Sequence, residues 1–405
     1  MNRRVVAFLL ACSAMLLAVG HAAAQEPARA PAGDFALTAS TAAGDVLGVL
    51  RVAPRGDGWN ARLVPSGQPE VVLDSAVWLA PRLTLRTSSG EPIVLELRFE
   101  GDSALSGTFV AGDATGTLRG RRRSSVLHVG RPPGSDPDSA RLIDSDVRLF
   151  WGILDRSTPE SLVELLQREY LEGGTHAVRD FIPSRIMSAE RLAQQVTERR
   201  ERYEASRAAS LTLHEVEPEI RRVFHELKRI LPEAVFPDIY FVVGRLNTGG
   251  TTSPRGLLIG AEMYRSHEPI SQIVAHELVH YQQRSIPPER WTLLAQSIFE
   301  GTADFVAELI SGDHINAAAH EYGLAHEAEL WQEFQEVMHG DQTAGWLYGN
   351  ASEGRPADLG YFFGYRIAEA YYRQAEDKQQ ALRDILQVSD YTGLLERSRY
   401  HPGGP

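Results

Sequence analysis

The sequence predicts an α+β protein in two parts: an N-terminal small antiparallel β-barrel or sandwich, then a mainly helical domain with a small sheet. Three observations predict it. From Phe35 to about Leu127, short runs alternate apolar and polar residues, the period of half-buried strands. From about Leu142 the apolar spacing becomes that of amphipathic helices. Within the helical part, the runs Ile239–Val243 and Leu257–Tyr264 read as strands.

The chain opens with Arg3 and Arg4, an apolar run from Val5 to Val19, and the small residues Ala22-Ala23-Ala24. A basic start, an apolar core and an A-x-A cleavage signal predict a signal peptide over residues 1–24. The apolar run is too short to span a bilayer comfortably. The product is therefore expected to be exported, periplasmic or secreted, with no membrane insertion after cleavage. Cys12, the sole cysteine, departs with that segment. The mature chain is left without disulfides or thiolate metal ligands.

Residues 25–33 read as a flexible leader, and 34–130 as the β-rich domain. About eight strands are expected, among them Val46–Val52, Leu83–Arg86 and Ile93–Phe99, separated by turns such as Arg55-Gly56-Asp57-Gly58. No catalytic constellation is visible there, and the sequence names no partner for this domain. Arg131 to Ser139, rich in Pro, Gly and Asp, reads as an interdomain linker. Formal net charge is −12, and −14 once Arg3 and Arg4 are gone; residues 25–130 balance at 11 basic and 11 acidic side chains. The whole negative excess thus falls in residues 131–405, which argues against nucleic acid or anionic lipid as partner.

Residues 140–395 read as the second domain. Helices are expected from Ser161, over 188–207 and over 217–230, the last closed by Pro232. Arg245 to Arg255 is a polar loop carrying Gly249-Gly250, read as a mobile connection. A further helix starts near Pro269, and another runs from about Trp291 to Ile310 with Gly312 as its C-cap. The last strong helix contains Tyr361-Phe362-Phe363-Gly364-Tyr365. Residues 396–405 are expected to be a disordered tail.

The chemistry concentrates in His276-Glu277-Leu278-Val279-His280, inside the helix-periodic run Ile270–Tyr281. Residues i and i+4 share a helix face, so both imidazoles can hold one metal ion. Glu277 follows the first ligand and can reach a water there. H-E-x-x-H on a helix is the pattern of a zinc site with a general base. Such a site needs a third protein ligand, which here must be His, Asp or Glu. The next helix carries Glu300 and, four residues on, Asp304, with the small Gly301 and Ala303 suited to close packing against the histidine helix. A buried acidic pair on an apolar helix calls for a cation.

This arrangement resembles the gluzincin metallopeptidases, the thermolysin-like group with two His and one Glu on a single Zn2+. The resemblance implies Glu300 as third ligand, Asp304 as the residue that orients His276, and Glu277 as base in peptide-bond hydrolysis. The stretches Tyr240–Thr251, Gly256–Met263, Glu300–Phe305 and Gly364–Ile367 are similar to bacterial secreted proteins classed as zinc-dependent proteases, over roughly residues 140–395. The resemblance implies a zincin-like catalytic fold and a peptide or protein substrate. An oxyanion donor is also needed: Tyr365 is favoured, with Tyr361, His320 and His326 as rivals. His267, His314 and His339 read as surface residues. An endopeptidase is favoured over an aminopeptidase, because Glu262 in Gly260-Ala261-Glu262-Met263 sits one place from the aminopeptidase glutamate and would face the other side of a strand. The strand at 257–263 is a candidate to pair with substrate. The alternatives are a binding protein on an inactive peptidase-like scaffold and a zinc hydrolase of non-peptide amides.

Overall fold

Alternating sequence becomes alternating burial in the first part of the chain. The computed structural model describes residues 32–42, 44–55, 58–65, 71–73, 75–87, 92–123, 132–286, 290–349 and 354–403. The expected signal peptide and nearly all of the leader lie outside them. Nine strands come first: β1 (Gly33–Thr41), β2 (Gly44–Arg55), β3 (Gly58–Pro65), β4 (Val71–Leu73), β5 (Ser75–Leu79), β6 (Arg82–Arg86), β7 (Ile93–Glu100), β8 (Ala104–Ala111) and β9 (Ala114–Arg122). They form one antiparallel sheet in the order β4-β3-β2-β1-β9-β8-β7-β6-β5. The ends of that order are neighbours in the chain, since β4 stops at Leu73 and β5 starts at Ser75. The sheet therefore curls into a nearly closed barrel. In β7, Leu95, Leu97 and Phe99 are buried while Glu96, Arg98 and Glu100 face water, the two-residue period of a pleated strand.

The chain divides into two compact units after Arg123. Residues 132–139 do not behave as a free linker. Gly134 and Phe236 exchange backbone hydrogen bonds of 3.3 and 2.7 Å, and Arg221 donates to the carbonyls of Pro137 and Ala140. Their Pro/Gly composition excludes regular structure but not packing.

In the second unit, β10 (Leu142–Ile143) is followed by α1 (Ser145–Arg156), α2 (Leu162–Leu165), α3 (His176–Phe181), α4 (Ala189–Glu198), α5 (Arg200–Leu211) and α6 (Glu217–Ile230). Strands β11 (Ile239–Val242), β12 (Gly250–Ser253) and β13 (Gly256–Gly260) complete a four-stranded sheet in the order β10-β11-β13-β12. Two expectations change here. The Gly-rich segment is not merely a connection, because it contains β12, antiparallel to β13. And β13 lies between β11 and β12, so both its rims are occupied and the edge strand is β12. Gly250-Thr251-Thr252-Ser253 has no large apolar residue, because an edge strand buries little; that is why its sequence does not announce it.

The remaining helices are α7 (Ile270–Gln282), α8 (Leu293–Ser311), α9 (Ala317–Ala325), α10 (Glu327–Val337), α11 (Leu359–Gln374), α12 (Lys378–Leu386) and α13 (Tyr391–Ser398). Helix α8 opens with Thr292 accepting from Ala295 N–H at 3.2 Å and closes on Gly312 at φ +83°. Gly301 does not serve contact with α7. A Cβ there would overlap the backbone of Tyr361, Gly364 and Tyr365, and one on Gly364 would overlap Ser297 O. The two glycines bring α8 and α11 backbone to backbone. The expected disordered tail is also corrected, because α13 runs to Ser398 and the chain then packs on α10. Tyr400 Oη donates to Glu327 Oε1 at 2.9 Å, Gly403 N–H donates to Glu327 Oε2 at 3.0 Å, and the Tyr400 ring meets Trp331 edge-on at 4.9 Å. Gly404 and Pro405 lie outside the described residues. Among the described residues, no helix is long and apolar enough to cross a membrane.

Candidate metal centre

Helix α7 is buried on nearly all sides from Ile273 through Val279. A helix so enclosed can carry polar side chains only where a partner satisfies them. His276 and His280 lie on one face, with ring centroids 4.5 Å apart and planes at 88°. Their Nε2 atoms are 3.0 Å apart. Glu300 Oε2, from α8, is 3.1 Å from His280 Nε2 and 3.5 Å from His276 Nε2.

The other ring nitrogens decide what this convergence is. His276 Nδ1 faces Asp304 Oδ1 at 2.7 Å. His280 Nδ1 faces Gln283 Oε1 at 2.6 Å. The Gln283 amide nitrogen is engaged with Phe299 O at 2.8 Å, so the amide oxygen is what meets the histidine. Both Nδ1 atoms therefore donate, and each neutral imidazole is left with a bare lone pair on Nε2. Two lone pairs and a carboxylate oxygen meet within 3.5 Å. With both rings neutral that is repulsive, and either a proton on a ring or a metal cation among the three atoms relieves it. Two imidazole nitrogens and one carboxylate oxygen form one of the three-ligand sets of catalytic zinc, which leaves a fourth position open. Among the described residues this is the one group of three or more His, Cys, Asp or Glu whose ligand atoms lie within 4.8 Å of one another. Positive charge at this point, whether on protonated His280 and His276 or on a metal ion held by them, keeps the Glu300 carboxyl well below the usual range against the opposing effect of its burial.

Glu277 is not one of the three converging groups. It is buried, and a Cβ at Gly250 would stand 2.7 Å from its Cγ and Oε1. Glycine at 250 is what lets the edge strand lie against this carboxylate. Burial pushes the Glu277 carboxyl up; His280 and His276 oppose the shift, Glu300 adds to it, and Arg185 opposes it.

Helix α8 carries a polar stripe at four-residue spacing, Gln296, Glu300, Asp304 and Glu308. Each member has partners. Asp304 Oδ2 accepts from Asn316 Nδ2 at 2.6 Å, so this carboxylate is held from both sides. Tyr365 Oη donates to Glu308 Oε2 at 2.7 Å. Glu308 is two turns beyond Glu300, about 12 Å along the helix. Tyr365 is thus not brought to the cluster; it meets Phe305 and His320 edge-on and His314 at a tilt instead. The tyrosine that is brought there is Tyr361, one turn earlier on α11. Its ring lies nearly parallel to that of His276, with centroids 6.4 Å apart, and burial together with the Glu300 charge raises its hydroxyl pKa. Of the rival histidines, His320 packs on Tyr365 and Phe362, and His326 stacks on Tyr322 at the surface. His267 and His314 are half-buried rather than superficial, while His339 is exposed.

Sequence reasoning missed Gln283, Asn316 and Tyr348. Tyr348 adopts φ +63° and donates to Gln296 Oε1 at 2.9 Å, one turn before Glu300. Gln283 follows the second histidine by three residues, a spacing that would have flagged it. Asn316 belongs to no pattern, because it reaches Asp304 from the connection between α8 and α9.

Glu262 lies in a 3-10 turn (Ala261–Met263) and is buried. It accepts from the backbone N–H of Leu246 at 3.3 Å and from that of Gly244. Burial raises its pKa to about 7 against those hydrogen bonds.

No curated protein matches the chain. Residues 246–388, which hold the edge strand, both histidines, Glu277, Glu300, Asp304, Asn316 and Tyr361, match the model of a family described as "Predicted Zn-dependent protease (DUF2268)".

Proposed function

We propose that the second unit is an exported single-zinc metallopeptidase of gluzincin type, with His276, His280 and Glu300 as ligands. The observation that carries the reading is the meeting of a carboxylate oxygen with two imidazoles whose tautomers are fixed by Asp304 and Gln283. The family match supports a zinc protease in general. When bound, zinc would lower the pKa of its water and polarise the scissile carbonyl.

The chain's own residues do the rest. Glu277 takes the proton of the attacking water and passes it to the leaving amine. Tyr361 replaces Tyr365 as the oxyanion donor, since the Tyr365 hydroxyl is committed to Glu308. Asp304 and Asn316 hold His276 in its tautomer. Substrate lies as an extra strand against β12, whose glycine at 250 adjoins Glu277. Endopeptidase action is favoured, because Glu262 is buried and its Oε1 accepts from the backbone N–H of Leu246.

The test pairs metal analysis with cleavage of a peptide library by the mature protein and Glu277→Gln. About one zinc per chain is expected in both, with kcat/KM about 100-fold or more lower in the variant. Equal activity in the two, or no bound zinc, would overturn the mechanism. Bound zinc without cleavage of any peptide would favour a binding protein or a hydrolase of other amides.

A further inference from the structure

Two half-buried arginines beside the site lack the partners that arginines in such positions usually have. Arg185 sits in a π-helical turn, Ile182–Ile186, directly after α3. Among the described residues it makes no hydrogen bond or ion pair, and its Nε is buried without a partner. Arg245 lies on the segment that leads into β12. Its Nε is also buried and unpartnered, and its one contact of this kind among the described residues is with Met187 Sδ at 3.0 Å. At neighbouring arginines the terminal guanidinium nitrogens meet protein oxygens: Arg255 pairs with Asp180 at 2.7 Å, and Arg179 donates to the carbonyls of Leu171 and Glu172. A half-buried guanidinium without an acceptor is costly, and its five donors in a planar fork suit a carboxylate.

The place is specific. Met187 closes the turn at φ +69°, ψ −63°, a conformation L-residues rarely adopt. The Ser184 carbonyl accepts from Asn247 Nδ2 at 3.3 Å, so the turn is tied to the segment carrying Arg245. That segment runs on to Gly250, which adjoins Glu277. From Arg245 to Gly250 is about 17 Å of extended chain at most, the span of some five substrate residues. Both arginines fall outside the segment that matches the protease family.

We propose that Arg185 and Arg245 form a subsite for a carboxylate of the substrate peptide, from an acidic side chain or the free C-terminus, within a few residues of the scissile bond. The proposal rests on the peptidase reading above. It runs against the net charge of −12, which by itself would disfavour acidic peptides; a local cationic site in a negative surface selects where along the peptide the acid must lie.

The test uses one peptide in three forms: free acid with Glu near the cleavage site, the same with Gln, and the C-terminal amide. Binding is measured by calorimetry on full-length zinc-loaded Glu277→Gln protein, and cleavage on the wild type. A carboxylate is expected to improve both about tenfold over its neutral isostere, less at high salt. Dependence on amidation identifies the C-terminus as source, and dependence on Glu against Gln identifies the side chain. In Arg185→Gln and Arg245→Gln the ratio of acid to neutral peptide is expected to fall towards one, with part of it kept in Arg185→Lys. A ratio near one in the parent protein, which requires no variant to fold, overturns the subsite, as does an unchanged ratio in both glutamine variants. Carboxylate- and arginine-dependent binding without cleavage would keep the subsite and discard the peptidase; cleavage without carboxylate preference would do the reverse.

Discussion

At the scale of the residue, the centre depends on what stands behind each histidine. Asp304 has one oxygen on His276 and the other on Asn316. Asn316→Ala would leave the carboxylate free to turn and the imidazole free to change tautomer. Zinc affinity is expected to fall about tenfold or more, read by competition with a chelator, while the fold persists. Glu262 supplies a second prediction, on stability. Its pKa is raised from near 4.5 to about 7, so the folded state holds its proton longer than the unfolded chain. Between those pH values the unfolded chain has lost the proton and the native protein has not, so its contribution falls as pH rises and stays low above 7. Glu262→Gln removes that dependence. Relative to wild type, the variant should gain stability on the order of 3 kcal/mol between pH 5 and pH 8, measured by urea unfolding at each pH.

At the scale of the element, α7, α8 and α11 form the frame, and glycines set their spacing. The small residues of α8 were expected to serve the histidine helix, but Gly301 instead meets Gly364 across α11. Composition shows that a helix has a flat side; it does not show which neighbour uses it. Gly364→Ala must push α11 away from the Ser297 carbonyl. It is expected to cost about 3 kcal/mol, and to lower catalysis through Tyr361 beyond the loss of folded protein, checked by denaturation and by specific activity per folded molecule. The edge strand β12 shows the same limit of pattern reading, since four small and polar residues form a strand only because β13 lies beside them.

At the scale of the whole molecule, the barrel and the helical unit each have their own core. The candidate ligands all lie in the second unit. Zinc binding to the folded state alone stabilises whatever unit contains it, by mass action. Chelation should therefore lower the melting temperature of the helical unit and leave the barrel's transition in place, resolved by calorimetry with and without EDTA. A single transition that shifts as a whole would show that the two units unfold together.

The sequence by itself determined the α+β class, the change from period two to helical period after about residue 130, and the pairing of His276 with His280. These follow from local geometry, since a side chain's direction on a helix or strand is set by its own backbone. It also presented Glu300 and Asp304 at a spacing that made them candidates. Only the tertiary structure decided that Glu300 meets both imidazoles, that Tyr361 rather than Tyr365 stands at the cluster, and that Gln283 and Asn316 hold the centre from outside. Those contacts join residues from different helices and connections, and no periodicity along one segment records how far another has been rotated or shifted against it.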